Sequence, residues 1–280
     1  MLDNRRAIGH SALVLRMLSP TFAATDRPSF IVDAFGGWLS TEMDGFRWIK
    51  SRRVLARSAL TQRHEVALQT STWSRAGVGT WVSPRVSVFD DRLAKWRLAD
   101  PSVSAFADAE IEPPCVYSSL LVNAVSSFVS VDLSGLPQPP ELKGASQAEF
   151  VTYVADVVVP VLDAFNEAAS LVAALPESWL SMIGAGTVEW ALACGDADAA
   201  TELIRRSIGQ PLRAQQRLDE RIGHFRHGWE LAEQGLRPER QPPFGFEAFG
   251  WLASTHDLLT PDDLGAREPG RRWRRVISKR

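Results

Sequence analysis

The charged segment from Pro211 to Gly235 contains the side chains that could most simply bind a metal ion. Glu220, His224 and His227 stand at i, i+4 and i+7, so on a helix they would share one face. Two imidazoles and a carboxylate can hold zinc when a further group or a water completes the coordination. Flanking arginines instead favour a solvated, ion-paired helix surface, so we predict no metal here.

A cysteine beside two acidic residues is the next candidate. Cys194 lies in "EWALACGDADAA", where a thiolate nucleophile would need a nearby base to activate it. No histidine is close in sequence, and glycine followed by aspartate is typical of one helix ending and the next beginning. We therefore interpret Cys194 as structural and predict no cofactor.

A third possibility is a hydrolase or nuclease site built from strand residues. His64, Glu65 and Arg85 offer a base, a carboxylate and a cation. Their positions in the sequence do not bring them together, so only the fold could make them converge. This hypothesis stays open at the level of the sequence.

The C-terminal segment "REPGRRWRRVISKR" interleaves basic groups with an aromatic ring. Arginines neutralise phosphates and tryptophan stacks on a base, so a nucleic-acid contact is one hypothesis. The residues that would make it are Arg271, Arg272, Trp273, Arg274 and Arg275. The alternative is a solubilising tail, or one that folds onto an acidic patch of the same chain.

The composition argues against several classes of protein, among them nucleic-acid-binding, disulfide-rich and membrane-spanning proteins. The 280 residues include 31 basic and 33 acidic side chains, a formal charge of -2, so the chain as a whole lacks the basic excess of a nucleic-acid binder. Two cysteines do not make a disulfide framework, and no segment reaches the ~20 apolar residues of a membrane span. With no convincing signal peptide, we expect a cytoplasmic protein that makes no membrane contact.

The first half of the chain is predicted to form one helix followed by antiparallel strands. A helix is expected after Pro28, although the paired Gly36 and Gly37 weaken its pattern. From Phe46 the apolar period becomes two, which is typical of strands joined by short turns. The strand segments are "FRWIKSRRVLARSA", "QRHEVALQTSTW", "GTWVSPRVSVF", "CVYSSLLVNAV" and "SFVSVDL".

Alternation along these strands gives the predicted sheet two unlike faces. One carries valines and is expected to be buried, while the other mixes polar groups with tryptophans. If the strands pair across "SRAGVG", the two tryptophans lie close together on the second face, in the mixture that recognition surfaces favour. The candidate binding residues are Glu65, Gln69, Ser71, Trp73, Trp81 and Arg85. The alternative is that helices cover this face and the tryptophans are core.

The second half is helical in pattern. The segment 134–146 is the strongest linker, and Ser146 with Glu149 predicts a capping box. A helical hairpin is expected around Gly195, and a further helix carries a narrow apolar stripe of Leu218, Ile222, Phe225 and Trp229. We divide the chain into a lead-in (1–27), a helix with the sheet (28–133), a helical half packed on the sheet (146–236) and a C-terminal extension (237–280).

Part of this pattern resembles an uncharacterised bacterial family, a domain of unknown function. Its members look like "F..R...v..vQ.S.W.....g.f.v...v" followed by an alanine-rich helical hairpin. The matching residues are Phe46, Val66, Gln69, Ser71, Trp73 and Val82, followed by "ALACGDADAATELI". The resemblance spans Phe30 to Ile208 and departs in the arginine-rich "KSRRVLARSA" and in the C-terminal extension. It implies a fold and no chemistry, because the family has no assigned activity.

Taken together, the sequence predicts an α+β fold with an antiparallel sheet of about four to six strands packed on helices. The leading functional hypothesis is a non-enzymatic binding protein, an immunity-like or accessory factor of a bacterium or phage, that recognises a protein partner through the polar and aromatic sheet face. The nucleic-acid tail and the hydrolase or nuclease remain the alternatives.

Overall fold

Period-two alternation in residues 47–90 produces the central sheet of the α+β fold that the sequence predicts. The structure is a computed structural model that describes residues 21–23, 26–105, 115–120, 131–133, 145–180, 183–209, 218–238 and 245–265. Its strands are β1 (Arg47–Ile49), β2 (Val54–Ala59), β3 (Gln62–Thr70), β4 (Trp81–Asp90), β5 (Cys115–Leu120), β6 (Val131–Asp132) and β7 (Ala145–Ser146).

Strands β1 to β5 pair antiparallel in chain order. The short β6 pairs with the start of β4, beyond the end of β5, and the two-residue β7 pairs parallel with β6. The first predicted strand is in fact a hairpin, because the chain turns at residues 50–53, where Arg53 adopts a left-handed φ of 51°. The predicted single strand would have required an extended backbone through "IKSRRV", where the structure has a turn.

The helices are α1 (Pro28–Glu42), α2 (Asp91–Ala99), α3 (Gln147–Tyr153), α4 (Val159–Ala164), α5 (Ala168–Ala174), α6 (Glu177–Leu180), α7 (Ala185–Ala193), α8 (Ala197–Gly209), α9 (Leu218–Glu233), α10 (Phe246–Thr255) and α11 (Pro261–Gly265). A 3₁₀ turn covers Pro101–Val103, and a π-helical turn (Val154–Val158) joins α3 to α4. Most of the helices follow the sheet, as predicted.

Helix α1 contains the glycine pair that weakened its prediction. A Cβ at Gly36 would overlap the ring of Trp48 on β1, so the missing side chain lets the helix lie directly on the sheet. Gly37 faces open space. The cost of glycine in a helix is offset here by close packing against an aromatic ring.

The valine face of the sheet and the helices form one core. Val66, Leu68, Val86 and Val88 belong to the same buried cluster as α1, α7 and α8. Within the described residues, none of the alternate strand residues on the opposite face belongs to this cluster. The described helices of this cluster therefore pack on the valine face of the sheet.

The predicted helical hairpin is present as α7 and α8. Gly195 has a φ of 78°, which ends α7, and Asp196 Oδ1 accepts a hydrogen bond from Ala199 N at 2.8 Å, which begins α8. The predicted linker at 134–146 lies outside the described residues except for its last two positions.

The apolar stripe predicted for α9 is confirmed except at its first position. Phe225 is fully buried and Ile222 and Trp229 pack against the core, but Leu218 is exposed. The buried residues of α9 are Arg221, Phe225 and Gly228. Gly228 faces α10 so closely that a Cβ would overlap the backbone of Glu247. Helix α9 therefore contacts α10 through a glycine, and a pattern of apolar residues cannot predict such a contact.

Candidate functional site

The sheet face opposite the valines, called here the outer face, is the candidate site. Strand register places its members in cross-strand pairs: Arg63 with Phe89, Glu65 with Ser87, Ala67 with Arg85, and Gln69 with Ser83. The row containing Glu65 continues across β2 to Arg47 on β1. Gln69, Arg47 and Arg85 are exposed. Four of the six predicted binding residues, Glu65, Gln69, Trp81 and Arg85, are on these strands with side-chain parity toward the outer face.

The two tryptophans that the sequence placed side by side have different environments. Trp73 is 56% exposed and lies beyond the end of β3, in the loop that joins β3 to β4. Trp81 is only 1% exposed, so it offers no area to a partner. The prediction that both indoles share an open face is therefore corrected: Trp81 sits at the first position of β4, where the loop folds back over its ring.

This loop, residues 71–80, is called the hairpin tip. Ser74 Oγ accepts a hydrogen bond from Trp81 N at 2.9 Å and donates one to Trp81 O at 2.8 Å. Ser71 N donates to Trp81 O, and Ser71 Oγ accepts from Trp73 N at 3.2 Å. These bonds fix the backbone on either side of Trp73, so the exposed indole projects from an ordered loop.

The far end of the hairpin tip is closed by a second, smaller turn. Arg75 and Gly79 exchange two backbone hydrogen bonds, at 2.9 and 3.0 Å, around Gly77, whose φ is 78°. A Cβ at Gly79 would overlap the ring of Trp81, so the glycine lets the loop lie on that indole. Trp81 therefore supports the loop, and Val78 joins Trp73 as an exposed apolar residue there.

Glu65 is held on the outer face by two arginines. Its Oε2 lies 2.9 Å from Arg52 Nη2 and its Oε1 lies 2.9 Å from Arg63 Nε, while its own side chain is only 7% exposed. The guanidinium of Arg63 also lies over the ring of Phe89, 4.4 Å from the ring centroid. Glu65 therefore organises two cations and has little surface left to offer a substrate.

The proposed triad for a hydrolase or nuclease does not converge. His64 pairs in register with Val88 on the valine face, whereas Glu65 and Arg85 lie on the outer face. Successive residues of a strand point to opposite sides of a sheet, so His64 and Glu65 cannot meet. No shared active site is formed by these three residues.

His64 belongs instead to a buried polar chain between the sheet and the helices. Arg57 Nη2 bridges His64 Nδ1 at 3.0 Å and Asp163 Oδ1 at 2.6 Å. His64 Nε2 lies 2.9 Å from Gln62 Oε1. Burial, reinforced by the positive charge of Arg57, lowers the pKa of His64 to about 4. The imidazole is therefore neutral at physiological pH.

The chain continues to Asp90, which is 1% exposed at the end of β4. Its carboxylate accepts hydrogen bonds from Gln62 Nε2 at 2.7 Å and from Trp190 Nε1 at 2.8 Å, as well as from the backbone and guanidinium of Arg92. Burial raises the pKa of Asp90, but the hydrogen bonds from Arg92, Gln62 and Trp190 outweigh it, so the net pKa lies below its ordinary value. This arrangement fastens the sheet to α2 and α7.

Sequence reasoning missed a second buried carboxylate. Glu189 on α7 is fully buried and accepts hydrogen bonds from Arg97, from Ser104 Oγ at 2.8 Å and from Ala105 N at 2.8 Å. A signal was available, since a lone glutamate within the otherwise apolar "GTVEWALA" indicates a buried helix whose charge needs a partner. The role of Glu189 here is to bind the segment after α2 to α7.

The remaining candidates do not form a site among the described residues. His224 Nδ1 lies 3.4 Å from Glu247 Oε1, and His227 is exposed. In the described parts of the chain, no group of three or more His, Cys, Asp or Glu side chains could hold a metal ion. Burial raises the pKa of the Cys194 thiol, which disfavours the thiolate. The basic tail, Arg271 to Arg275, lies outside the described residues.

One cleft lies between the end of α1 and the helical run of α3 and α4. Its volume is about 230 Å³ and its walls are mostly apolar, from Leu39, Met43, Val151, Val154 and Val159. Glu42 and Asp44 are also among the lining residues. Val154 and Ala155 of the π-helical turn form part of the wall.

Comparisons with known proteins identified no relative of this chain. No family model, no curated protein and no solved structure matches this chain. The resemblance to an uncharacterised bacterial family therefore remains a prediction.

Within the part of the chain that the structure describes, no helix has both the length and the apolar character needed to cross a bilayer.

Proposed function

We propose that this chain is a non-enzymatic binding protein that recognises a protein partner through the hairpin tip and the outer face. The observation that carries the proposal is Trp73, more than half exposed on a loop whose backbone is tied on both sides by hydrogen bonds. Large aromatic side chains are usually buried, and tryptophan is enriched among residues that dominate binding energy in protein interfaces.

Rigidity of the loop supports this function. Binding costs less conformational entropy when the contact residue is already held in place. The bonds between Ser74 and Trp81 and the closed turn at Arg75 and Gly79 supply this order before any partner arrives. Val78 extends the apolar contact beyond one ring.

The other chemical groups favour binding over catalysis. His64, Asp90 and Glu189, the buried titratable residues with the strongest contacts, are each engaged in bonds between the sheet and the helices. As an immunity-like or accessory factor of a bacterium or phage, the protein would act by occupying a partner's surface. We place it in the cytoplasm as part of this proposal, because Cys115 and Cys194 form no disulfide.

Photo-cross-linking tests the proposal. A photoreactive phenylalanine analogue replaces Val78 in one variant and Leu98, an equally apolar exposed residue on α2, in the control. The Val78 variant is expected to capture one protein in the cells that produce the chain, and the Leu98 variant is not. The captured protein, once purified, should bind roughly tenfold more weakly to Trp73→Ala and equally well to Leu98→Ala.

Equal capture by both variants would overturn the proposal. So would unchanged affinity of the purified partner for Trp73→Ala. A measurable turnover of substrate by the chain, lost on a conservative change such as Glu65→Gln, would instead support the enzymatic alternative.

A further inference from the structure

The outer face carries a local charge that is opposite in sign to that of the whole chain. Arg47, Arg52, Arg63 and Arg85 lie on this side of the sheet, and Glu65 is the one acid of the outer face on β1 to β4. The chain as a whole has a formal charge of -2. We infer that the outer face binds an acidic surface on a protein partner, an inference that rests on the proposed function and names the partner's chemistry.

Among the residues that the structure describes, two of these arginines have no acidic partner. Glu65 is shared by Arg52 and Arg63, at 2.9 Å from each. Arg47 and Arg85 are exposed, and neither makes an ion pair with any residue that the structure describes. Guanidinium groups match carboxylates with two parallel hydrogen bonds, so a facing aspartate or glutamate would satisfy each of them.

The face is also shaped for a close approach. Ala67 and Ser83 are the cross-strand neighbours of Arg85 and Gln69, respectively, so small side chains separate the longer polar ones. Arg63 is held against the ring of Phe89, which fixes its guanidinium before binding. A partner surface can therefore approach the longer polar side chains and meet Arg63 in a position that is already fixed.

A protein partner fits these features better than a nucleic acid. Single-stranded nucleic acids bind to grooves in which successive bases stack on free aromatic faces. Phe89 is already covered by Arg63, and the second exposed apolar residue of the hairpin tip is Val78, which has no ring on which to stack a base. An acidic protein surface with an apolar neighbour would use both the arginines and the hairpin tip.

The test measures binding of a fluorescent poly-L-glutamate peptide and an oligothymidylate of matched length, about 20 units each, to the full chain by anisotropy at low salt. The face variant is Arg47→Gln with Arg85→Gln. The matched control is Arg205→Gln with Arg226→Gln, which removes the same charge from exposed positions on α8 and α9. A third variant replaces Arg271, Arg272, Arg274 and Arg275 with glutamine.

We expect the face variant to bind polyglutamate roughly tenfold more weakly, and the control to change it less than about twofold. Equal losses in the two variants, loss only in the tail variant, or no binding of polyglutamate to the wild type would overturn the inference. Tighter, face-dependent binding of oligothymidylate would overturn it in favour of a nucleic acid.

The polyglutamate test can fail independently of the cross-linking test of the proposed function. Polyglutamate has no apolar group for Trp73, so Trp73→Ala should leave its affinity within about twofold. Failure with polyglutamate alone would remove the acidic partner and leave the cross-linking result intact. Failure of cross-linking alone would remove the hairpin tip as a contact and leave the charge measurement intact.

Discussion

Arg57 Nη2 lies 3.0 Å from Nδ1 of the buried His64. A guanidinium can only donate, so Nδ1 must be the acceptor and Nε2 must carry the proton of the neutral ring. That proton is donated to Gln62 Oε1 at 2.9 Å. Protonation of His64 would therefore place a second cation against Arg57 inside the protein.

This geometry predicts a loss of stability in mild acid. The pKa of His64 is about 4 in the folded protein, against an ordinary value of 6.5. The unfolded chain therefore binds an extra proton between these values, so the stabilisation is complete above pH 6.5 and disappears as the pH falls to about 4. The expected loss is about 3 kcal/mol of unfolding free energy.

Urea unfolding of the wild type and His64→Gln across this pH range measures the effect. Glutamine does not titrate, and its amide can donate to Gln62 and accept from Arg57, so the difference between the two proteins should change by about 3 kcal/mol. NMR titration of the His64 ring provides an independent check. A His64 that titrates in the folded protein at the ordinary 6.5 would contradict the prediction.

Glu189→Gln is predicted to destabilise the protein strongly. The amide NH2 would take the place of one carboxylate oxygen and face a donor, either Arg97 or the backbone N–H of Ala105, and the Arg97 guanidinium would lose its buried counter-charge. Loss of one partner of a buried ion pair costs about 3–5 kcal/mol. Thermal and urea unfolding measure the change.

The matched control is Glu202→Gln. Glu202 pairs with Arg205 at 3.1 Å on the exposed side of α8, where an ion pair contributes about 0.5 kcal/mol or less. A similar cost for both substitutions would show that helix chemistry, and not the buried contact, determines the effect of Glu189.

The strand pattern predicts much of the fold because one sheet face is buried. Val66 and Val86 alternate with residues of the outer face, such as Glu65 and Arg85, and a slip of one residue would turn the valines to that face. The same parity places Gln62 and His64 on the valine face, and this was the available signal that both would be buried. The same network reaches Asp163 through Arg57 and Trp190 through Asp90, and both residues lie on distant helices that no local pattern can assign.

The site was harder to predict, because strand parity stops applying where a strand ends. Trp81 has the parity of the outer face, but the loop from Ser74 to Gly79 closes over it. Trp73 lies outside β3 altogether, so its exposure comes from the loop and not from the sheet. The arginine cluster depends on the turn that brings Arg52 to Glu65, and that turn sits inside what the sequence presented as one strand.

Ser74→Ala should loosen the hairpin tip without altering its exposed side chains. The change removes two hydrogen bonds between Ser74 Oγ and the Trp81 backbone and should cost about 1–2 kcal/mol. Hydrogen exchange of Trp81 N–H reports the local opening. Ser58→Ala, an exposed strand position, serves as the control and should change unfolding free energy by less than about 0.5 kcal/mol.

Substitutions at two glycines of α9, Gly228 and Gly223, distinguish the effect of helix packing on stability from the effect of helix propensity. Gly228 lies where a Cβ would overlap the backbone of Glu247, and Gly250 of α10 stands equally close to the backbone of Phe225. Gly228→Ala must push the two helices apart and should cost about 3 kcal/mol or more. Gly223, on the same helix, faces open space, so Gly223→Ala should stabilise by up to about 1 kcal/mol through better helix propensity. Chemical unfolding measures the change in unfolding free energy for both variants. Changes of the same sign would mean that α9 and α10 do not pack closely at Gly228 and Gly250.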